Sequence, residues 1–224
     1  MFYDFHTHTF HSDGALSPIE LVHRALVKGY SAIAITDHLA LGSLARVIKE
    51  TSDDCALARE YWDILAIPGV ELTHLPPEAI SDAAQKAKEL GAWLVVVHGE
   101  SPVEPVPKGT NLAAVRSPYV DILAHPGLIT PEETTLAAQN GIFIELSGRR
   151  GHCTTNYHVA SICQKLKAKI LVNSDAHDEA DLLTPALARD ILSKAGLGNR
   201  QYQQILNDNP MLLLDRIKKL TCSS

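Results

Sequence analysis

The 224-residue chain carries a formal net charge of −6, with 46% hydrophobic and 21% charged residues. That balance suits a globular protein long enough to bury a sizeable core, and it argues against a basic nucleic-acid-binding surface. No apolar stretch reaches the ~18 residues of a membrane span and no secretion-signal pattern opens the chain, so a cytoplasmic protein with no membrane partner is expected.

In chain order, short apolar runs alternate with segments of helical character. Strands are expected at 2–5, 32–36, 64–70, 93–97, 122–124, 142–146 and 170–173. Most are continuous in Val, Ile, Leu and Ala, as in parallel strands covered on both faces. Ser17-Pro18-Ile19-Glu20 opens the first helix with a cap, a proline and a third-position glutamate, and Gly29 stops it. Residues 40–62 and 78–90 follow as helices. The stretch 100–118, with Pro102, Pro105, Pro107, Gly109 and Pro118, reads as a long loop. Thr130-Pro131-Glu132-Glu133 repeats the capping device, and Gly141 ends that helix. Further helices are expected at 155–168, 179–195 and 209–220. Cys55, Cys153, Cys163 and Cys222 show no C-x-x-C spacing and read as free thiols in a reducing compartment.

The runs end in a repeated way. His6-Thr7-His8 follows the first, and residues two apart on a strand share a face. Asp37-His38, Glu71, His98, His125 and Asp175-x-His177 close later runs. A β/α alternation implies a parallel sheet, either open and doubly wound or closed as a barrel. Strands at opposite edges of an open sheet cannot bring side chains to one point, whereas every strand of a barrel ends at one mouth. A distorted (β/α)7 TIM-like barrel, with a metal site at the carboxyl ends of its strands, is therefore expected.

His6-Thr7-His8 with Ser12-Asp13-Gly14, Thr36-Asp37-His38, Pro68-Gly69-Val70-Glu71, His98, Ala124-His125-Pro126 and Asn173-Ser174-Asp175-Ala176-His177 resemble the PHP (polymerase and histidinol phosphatase) superfamily, in the family order. The resemblance implies a single barrel domain over 1–224, with the motifs in 4–177 and the helices of 179–220 completing it. It also implies two to three divalent ions. His6, His8, Glu71 and Asp175 would hold the first, and Glu71 would bridge to a second held by His98 and His125. Asp13, His38 and His177 would hold a third, with His11 a nearby competitor for the role of Asp13. Imidazole and carboxylate suit zinc, iron or manganese. Asp37 is expected to orient His38 or its loop, and His23, His74 and His158 to be surface or loop histidines.

The implied activity is hydrolysis of a small-molecule phosphate ester, of the histidinol-phosphate phosphatase type. A hydroxide bridging the metals would attack phosphorus, with Glu71 and Asp175 central to catalysis. A nucleotide or cyclic-nucleotide phosphodiesterase, or a 3′-5′ exonuclease, is the alternative, since bound ions would reverse the local field for a nucleic-acid end. A non-catalytic metal-binding regulatory module would show lost ligands, and none is lost. Arg149 and Arg150, in a glycine-flanked turn after the sixth run, suit a phosphate group. Glu100 is a further substrate-facing candidate, Lys108 and Arg116 are possible phosphate contacts, and His152 could protonate a leaving group. Glu145 could face substrate, pair with Arg149 or cap its strand.

Overall fold

Successive strand residues point to opposite sides, and in this chain both sides are apolar. The computed structural model describes residues 2–221, so Cys222 lies outside the described residues. The strands are β1 (Tyr3–Asp4), β2 (Ala32–Ile35), β3 (His38–Leu39), β4 (Leu65–Leu72), β5 (Leu94–His98), β6 (Ile122–Ala124), β7 (Phe143–Ser147) and β8 (Ile170–Asn173). Ala32, Ala34, Leu94, Val96, Ile122 and Phe143 pack into an inner cluster. Their neighbours Ile33, Ile35, Val95, Val97, Leu123 and Ile144 pack outward against the helices.

Every pairing is parallel, in the order β1-β2-β4-β5-β6-β7-β8. The seven expected strands are all present, nearly closed into a barrel. Just past β1 and β8 the chain joins backbone to backbone: Thr7 bridges Ala176, the His8 N–H donates to Ala176 O at 2.8 Å, and the Asp175 N–H donates to His6 O at 3.0 Å. The closure thus lies at the carboxyl mouth. The added strand β3 runs along the far end of β4 and sets His38 opposite Glu71.

The helices are α1 (Pro18–Val27), α2 (Leu44–Tyr61), α3 (Ile80–Glu89), α4 (Thr110–Arg116), α5 (Pro131–Asn140), α6 (Asn156–Leu166), α7 (Pro185–Lys194), α8 (Asn199–Gln203) and α9 (Asn209–Thr221). The predicted caps form: Ser17 Oγ accepts from the Glu20 N–H at 3.3 Å, and Thr130 and Glu133 make a reciprocal capping box. Helix α4 departs from the expected loop at 100–118. Its Ala114 and Val115 are buried, and its first turn is capped from a distance, because Glu100 Oε1 accepts from the Gly109 and Asn111 N–H groups at 2.9 and 3.1 Å. The expected helix at 179–195 is divided, since Thr184 and Pro185 start α7 afresh. The segment 199–208, not foreseen as helical, forms α8 and a π-helical turn that runs into α9.

At the amino end of the barrel, α9 presses Leu213, Leu214 and Ile217 into the inner cluster. Full burial of each such side chain stabilises by about 1.5–3 kcal/mol. Arg216 fixes the helix, donating to Gly141 O at 2.9 Å and to Asp121 Oδ1 at 2.8 Å. With this end plugged, the carboxyl mouth is left for chemistry.

Candidate metal centre

Each functional side chain is set by the end of a strand. Beyond β1, the Thr7 hydroxyl donates to Ala34 O at 2.7 Å, so Thr7 faces β2 and the neighbouring His6 and His8 turn into the mouth. Asp37 pins the loop that follows, accepting from the Thr9 N–H, the Thr9 hydroxyl and the Ser12 hydroxyl at 2.8, 2.7 and 2.6 Å. That loop must lie flat on His8: a Cβ on Gly14 would sit 2.4 Å from His8 O. Asp13 is thereby presented to His8, His38 and His177. Gly99 serves the same purpose after His98, since its Cβ would meet Ala124 O at 2.2 Å. His125 and Asp175 adopt left-handed backbone, with φ of +23° and +56°. Strained backbone of this kind gathers where side-chain direction is functionally constrained.

The nine residues expected from the family resemblance converge. His6 Nε2 lies 3.3 Å from Glu71 Oε1, His8 Nε2 lies 3.2 Å from Asp175 Oδ1, and the two Nε2 atoms are 3.1 Å apart. His125 Nε2 is 3.6 Å from Glu71 Oε1 and 3.7 Å from Asp175 Oδ2. Asp13 stands 3.1 Å from His177 Nε2 and 3.8 Å from His38 Nε2. Ligand atoms within 4.8 Å of one another define four groups: His6, His8 and Asp175; His6, Glu71 and His125; His8, Asp13, His38 and His177; and His98, His125 and His152.

The residues fit divalent ions by their tautomers as well as their positions. The Nδ1–H of His6 donates to Glu145 Oε2 at 2.8 Å, that of His98 to Gly99 O at 3.0 Å, and that of His38 to Thr73 Oγ1 at 2.8 Å. Each ring is anchored by one nitrogen and offers Nε2 inward, the arrangement of metal-ligating histidines. Two buried Nε2 lone pairs 3.1 Å apart repel unless a cation or proton lies between them. Among the described residues, the buried atoms His8 Nδ1, His98 Nε2, His125 Nδ1 and His152 Nδ1 have no hydrogen-bond partner, which otherwise costs about 1–3 kcal/mol apiece.

Electrostatics agree. Burial opposes charge on His6 and His38, yet the surrounding carboxylates hold His6 well above its usual range and raise His38 to about 9. Glu71 stays ionised despite burial because His6 and His38 flank it. Burial lowers His8 and His125 far below neutrality, so these rings are available as neutral ligands. Asp4 is buried beneath the centre, its carboxylate accepting from the Ser174 and His6 N–H groups. Burial pushes it up to about 7.

The other candidates separate. Arg149 Nη1 donates to His177 Nδ1 at 2.7 Å, beside Asp175 O at 3.4 Å. Arg149 and Arg150 line a cleft of about 380 Å3 that reaches Asp175. Glu100 is engaged in capping α4 and stands apart from the cluster. Arg116 pairs with Glu132 on the exterior, 3.5 Å away, and His11 faces Glu50 at 3.5 Å instead of the centre. His23 rests on Trp62 and His158 meets Ile129 O. His152, read from the sequence as a candidate proton donor, lies within the cluster of imidazoles. The ring is buried, its centroid 4.0 Å from that of His125, and burial together with His98 lowers it to about 4. Glu145 pairs with His6 and Asn173, not with Arg149.

Glu104 was not foreseen. It reaches from the loop after β5 to within 3.4 Å of His98 Nε2 and 3.8 Å of His152 Nε2. A lone glutamate among prolines carries no sequence signal.

A protein-family model described as "PHP domain" matches residues 4–167. An uncharacterized protein of Methanocaldococcus jannaschii is 47% identical over 218 residues, which is 97% of this chain and 100% of that one. A protein of Caldanaerobacter subterraneus named a probable phosphatase is 31% identical over 191 residues, covering 78% of this chain and 75% of its own. Among solved structures, a candidate histidinol phosphatase of Listeria monocytogenes shares the fold with a TM-score of 0.58 at 13% identity, over 82% of this chain and 98% of that one. A family match over most of the chain thus coincides with the convergence of imidazoles and carboxylates at the barrel mouth: the chain belongs to the PHP domain family of metal-dependent phosphoester hydrolases.

Proposed function

We propose that the chain hydrolyses a small phosphomonoester of the histidinol-phosphate type, using two to three zinc, iron or manganese ions held by His6, His8, Asp13, His38, Glu71, His98, His125, Asp175 and His177. Such ions, when bound, supply an activated water at neutral pH and neutralise charge on the phosphoryl oxygens. Glu71 and Asp175 are central because each faces several of the imidazoles at once.

The observation that carries the monoester reading is Arg149. Its guanidinium reaches the edge of the centre at His177, in a cleft shared with Arg150. A monoester dianion needs more positive charge at its terminal oxygens than a diester does, and a guanidinium binds two of them at once. His177 Nδ1 also lies 3.0 Å from Asp175 O. A proton on Nδ1 would satisfy that carbonyl and leave the guanidinium free for substrate in the cleft. The probable phosphatase of C. subterraneus is consistent with the same chemistry.

Turnover by purified, metal-analysed protein tests the reading, on a panel of histidinol phosphate, nucleoside monophosphates, cyclic nucleotides and a phosphodiester reporter. A monoester should have the highest kcat/KM. A tenfold preference for a diester would replace the proposal with a phosphodiesterase.

A further inference from the structure

The loop after β7 turns a buried imidazole toward a position where the family resemblance supplies only two. His152 follows Gly151, whose φ is +94°, and opens a short turn into α6. Its ring is 4% exposed. The ring centroids of His98, His125 and His152 are 4.5 Å (98 to 125), 4.0 Å (125 to 152) and 5.8 Å (98 to 152) apart. One nitrogen from each lies within 4.8 Å of the others. His98 Nε2, His125 Nδ1 and His152 Nδ1 are buried without hydrogen-bond partners. A histidine held merely for packing would sit among hydrocarbon or bond a carbonyl. This one sits among imidazoles and faces a carboxylate.

That carboxylate is Glu104, 40% exposed on its loop. One oxygen approaches His98 and His152 at 3.4 and 3.8 Å, and the other approaches His74 at 3.9 Å. The loop is brought there by packing: a Cβ on Gly151 would meet Val103 Cγ2 at 3.1 Å, so Val103 lies directly on the turn that delivers His152. Two loops from different strands thus converge on one cluster, each through a residue next to the packing contact.

We propose that His152 is a third imidazole of the second metal position, and that Glu104 is its loop-borne carboxylate. The imidazoles of His98, His125 and His152, with Glu104 reaching the first and the last, form a donor set suited to zinc, iron or manganese. His152 is fixed by burial, whereas Glu104 is solvent-accessible and can yield its place to water or to a phosphate oxygen. The inference rests on the metal-centre reading above but not on the choice of substrate.

The test reads metal, not turnover. Full-length wild type, His152→Ala and Glu104→Gln are loaded with zinc and dialysed against graded chelator, and metal per chain is measured by elemental analysis. Loss of outer-shell partners weakens metal binding by about 10–100-fold, so loss of a direct ligand should do at least as much. His152→Ala should release one equivalent at a chelator concentration about tenfold or more below that required for wild type. Glu104→Gln should release the same equivalent at an intermediate concentration. His177→Ala should release a different equivalent, so that its combination with His152→Ala loses two. Nitrogen-15 NMR of histidine-labelled, zinc-saturated wild type needs no variant to fold. Seven of the 11 imidazoles should shift as metal-bound: His6, His8, His38, His98, His125, His152 and His177. Six shifted imidazoles, or a His152→Ala release curve that overlays wild type, overturns the inference while the centre stands. Wild type that retains no metal overturns both.

Discussion

Replacing Glu145 by glutamine tests whether a buried carboxylate orients the first metal-facing imidazole. Glu145 and His6 are both fully buried and 2.8 Å apart, and Asn173 Nδ2 donates to the same Oε2 at 2.9 Å. Two donors converge on one oxygen. In the variant, the amide oxygen must take that place, which puts the NH2 group where Oε1 stands without a hydrogen-bond partner. A hydrogen bond to a charged group, worth about 1.5–3 kcal/mol, becomes a neutral one worth about 0.5–1.5. The difference, roughly 1–1.5 kcal/mol, corresponds to about 5–13-fold in a dissociation constant. Outer-shell partners of metal-bound histidines are worth about 10–100-fold, so a tenfold weakening of one metal equivalent is expected in chelator competition. The orphaned NH2 should also destabilise the metal-free protein by about 1–3 kcal/mol, read from denaturant unfolding. Metal affinity within twofold of wild type, alongside that loss of stability, would show that Glu145 shapes the core without orienting His6.

Glu71 faces His6, His38 and His125, so Glu71→Ala should abolish activity and release more than one metal equivalent, whereas His177→Ala should release one; most activity surviving in Glu71→Ala would dismiss the bridge. Arg149→Ala should lower kcat/KM for the best monoester by roughly 10–1,000-fold, about 1.4–4 kcal/mol, with metal content unchanged, and an unaltered rate would remove the guanidinium from the site. In chelator-stripped protein, His38 is held at about 9, burial opposing and Glu71 favouring its charged form. A basic group raised above its usual 6.5 contributes stability that is fully present below that value and is lost as pH rises through the folded value. The thermal midpoint of stripped protein should therefore fall between pH 6.5 and 9, and His38→Gln should flatten the fall; equal slopes for the two proteins would contradict the pairing of His38 with Glu71.

The barrel was legible because its strands are buried on both faces. Continuous runs such as Leu94–His98 and Ile170–Asn173 admit no solvent-facing alternation, and proline caps mark where α1 and α5 begin. Helix α4 was not legible. Its cap is Glu100, which lies nine and eleven residues before the two N–H groups it accepts, beyond the reach of any local pattern. Strand β3 is also invisible locally, since two residues acquire strand geometry only by pairing with Glu71 and Leu72.

Eight of the nine expected metal-facing residues could be read at or just past strand ends, which share one mouth in a closed barrel, whereas Asp13, on the loop after His8, was expected only from the family resemblance. The residues that tune the centre obey no such rule. Asp4 and Glu145 act from within β1 and β7, where a carboxylate looks like an interruption of an apolar run until the imidazole beside it is seen. His152 and Glu104 come from loops, and their directions depend on Val103 lying against Gly151. Strand ends thus fix which atoms can approach an ion, while loop packing decides how many further donors reach it and how readily one can leave. In this chain the loops contribute most beside His98, where an exposed glutamate and a buried histidine meet; if they hold an ion as proposed, the relative ease of displacing Glu104 would set how a phosphate enters.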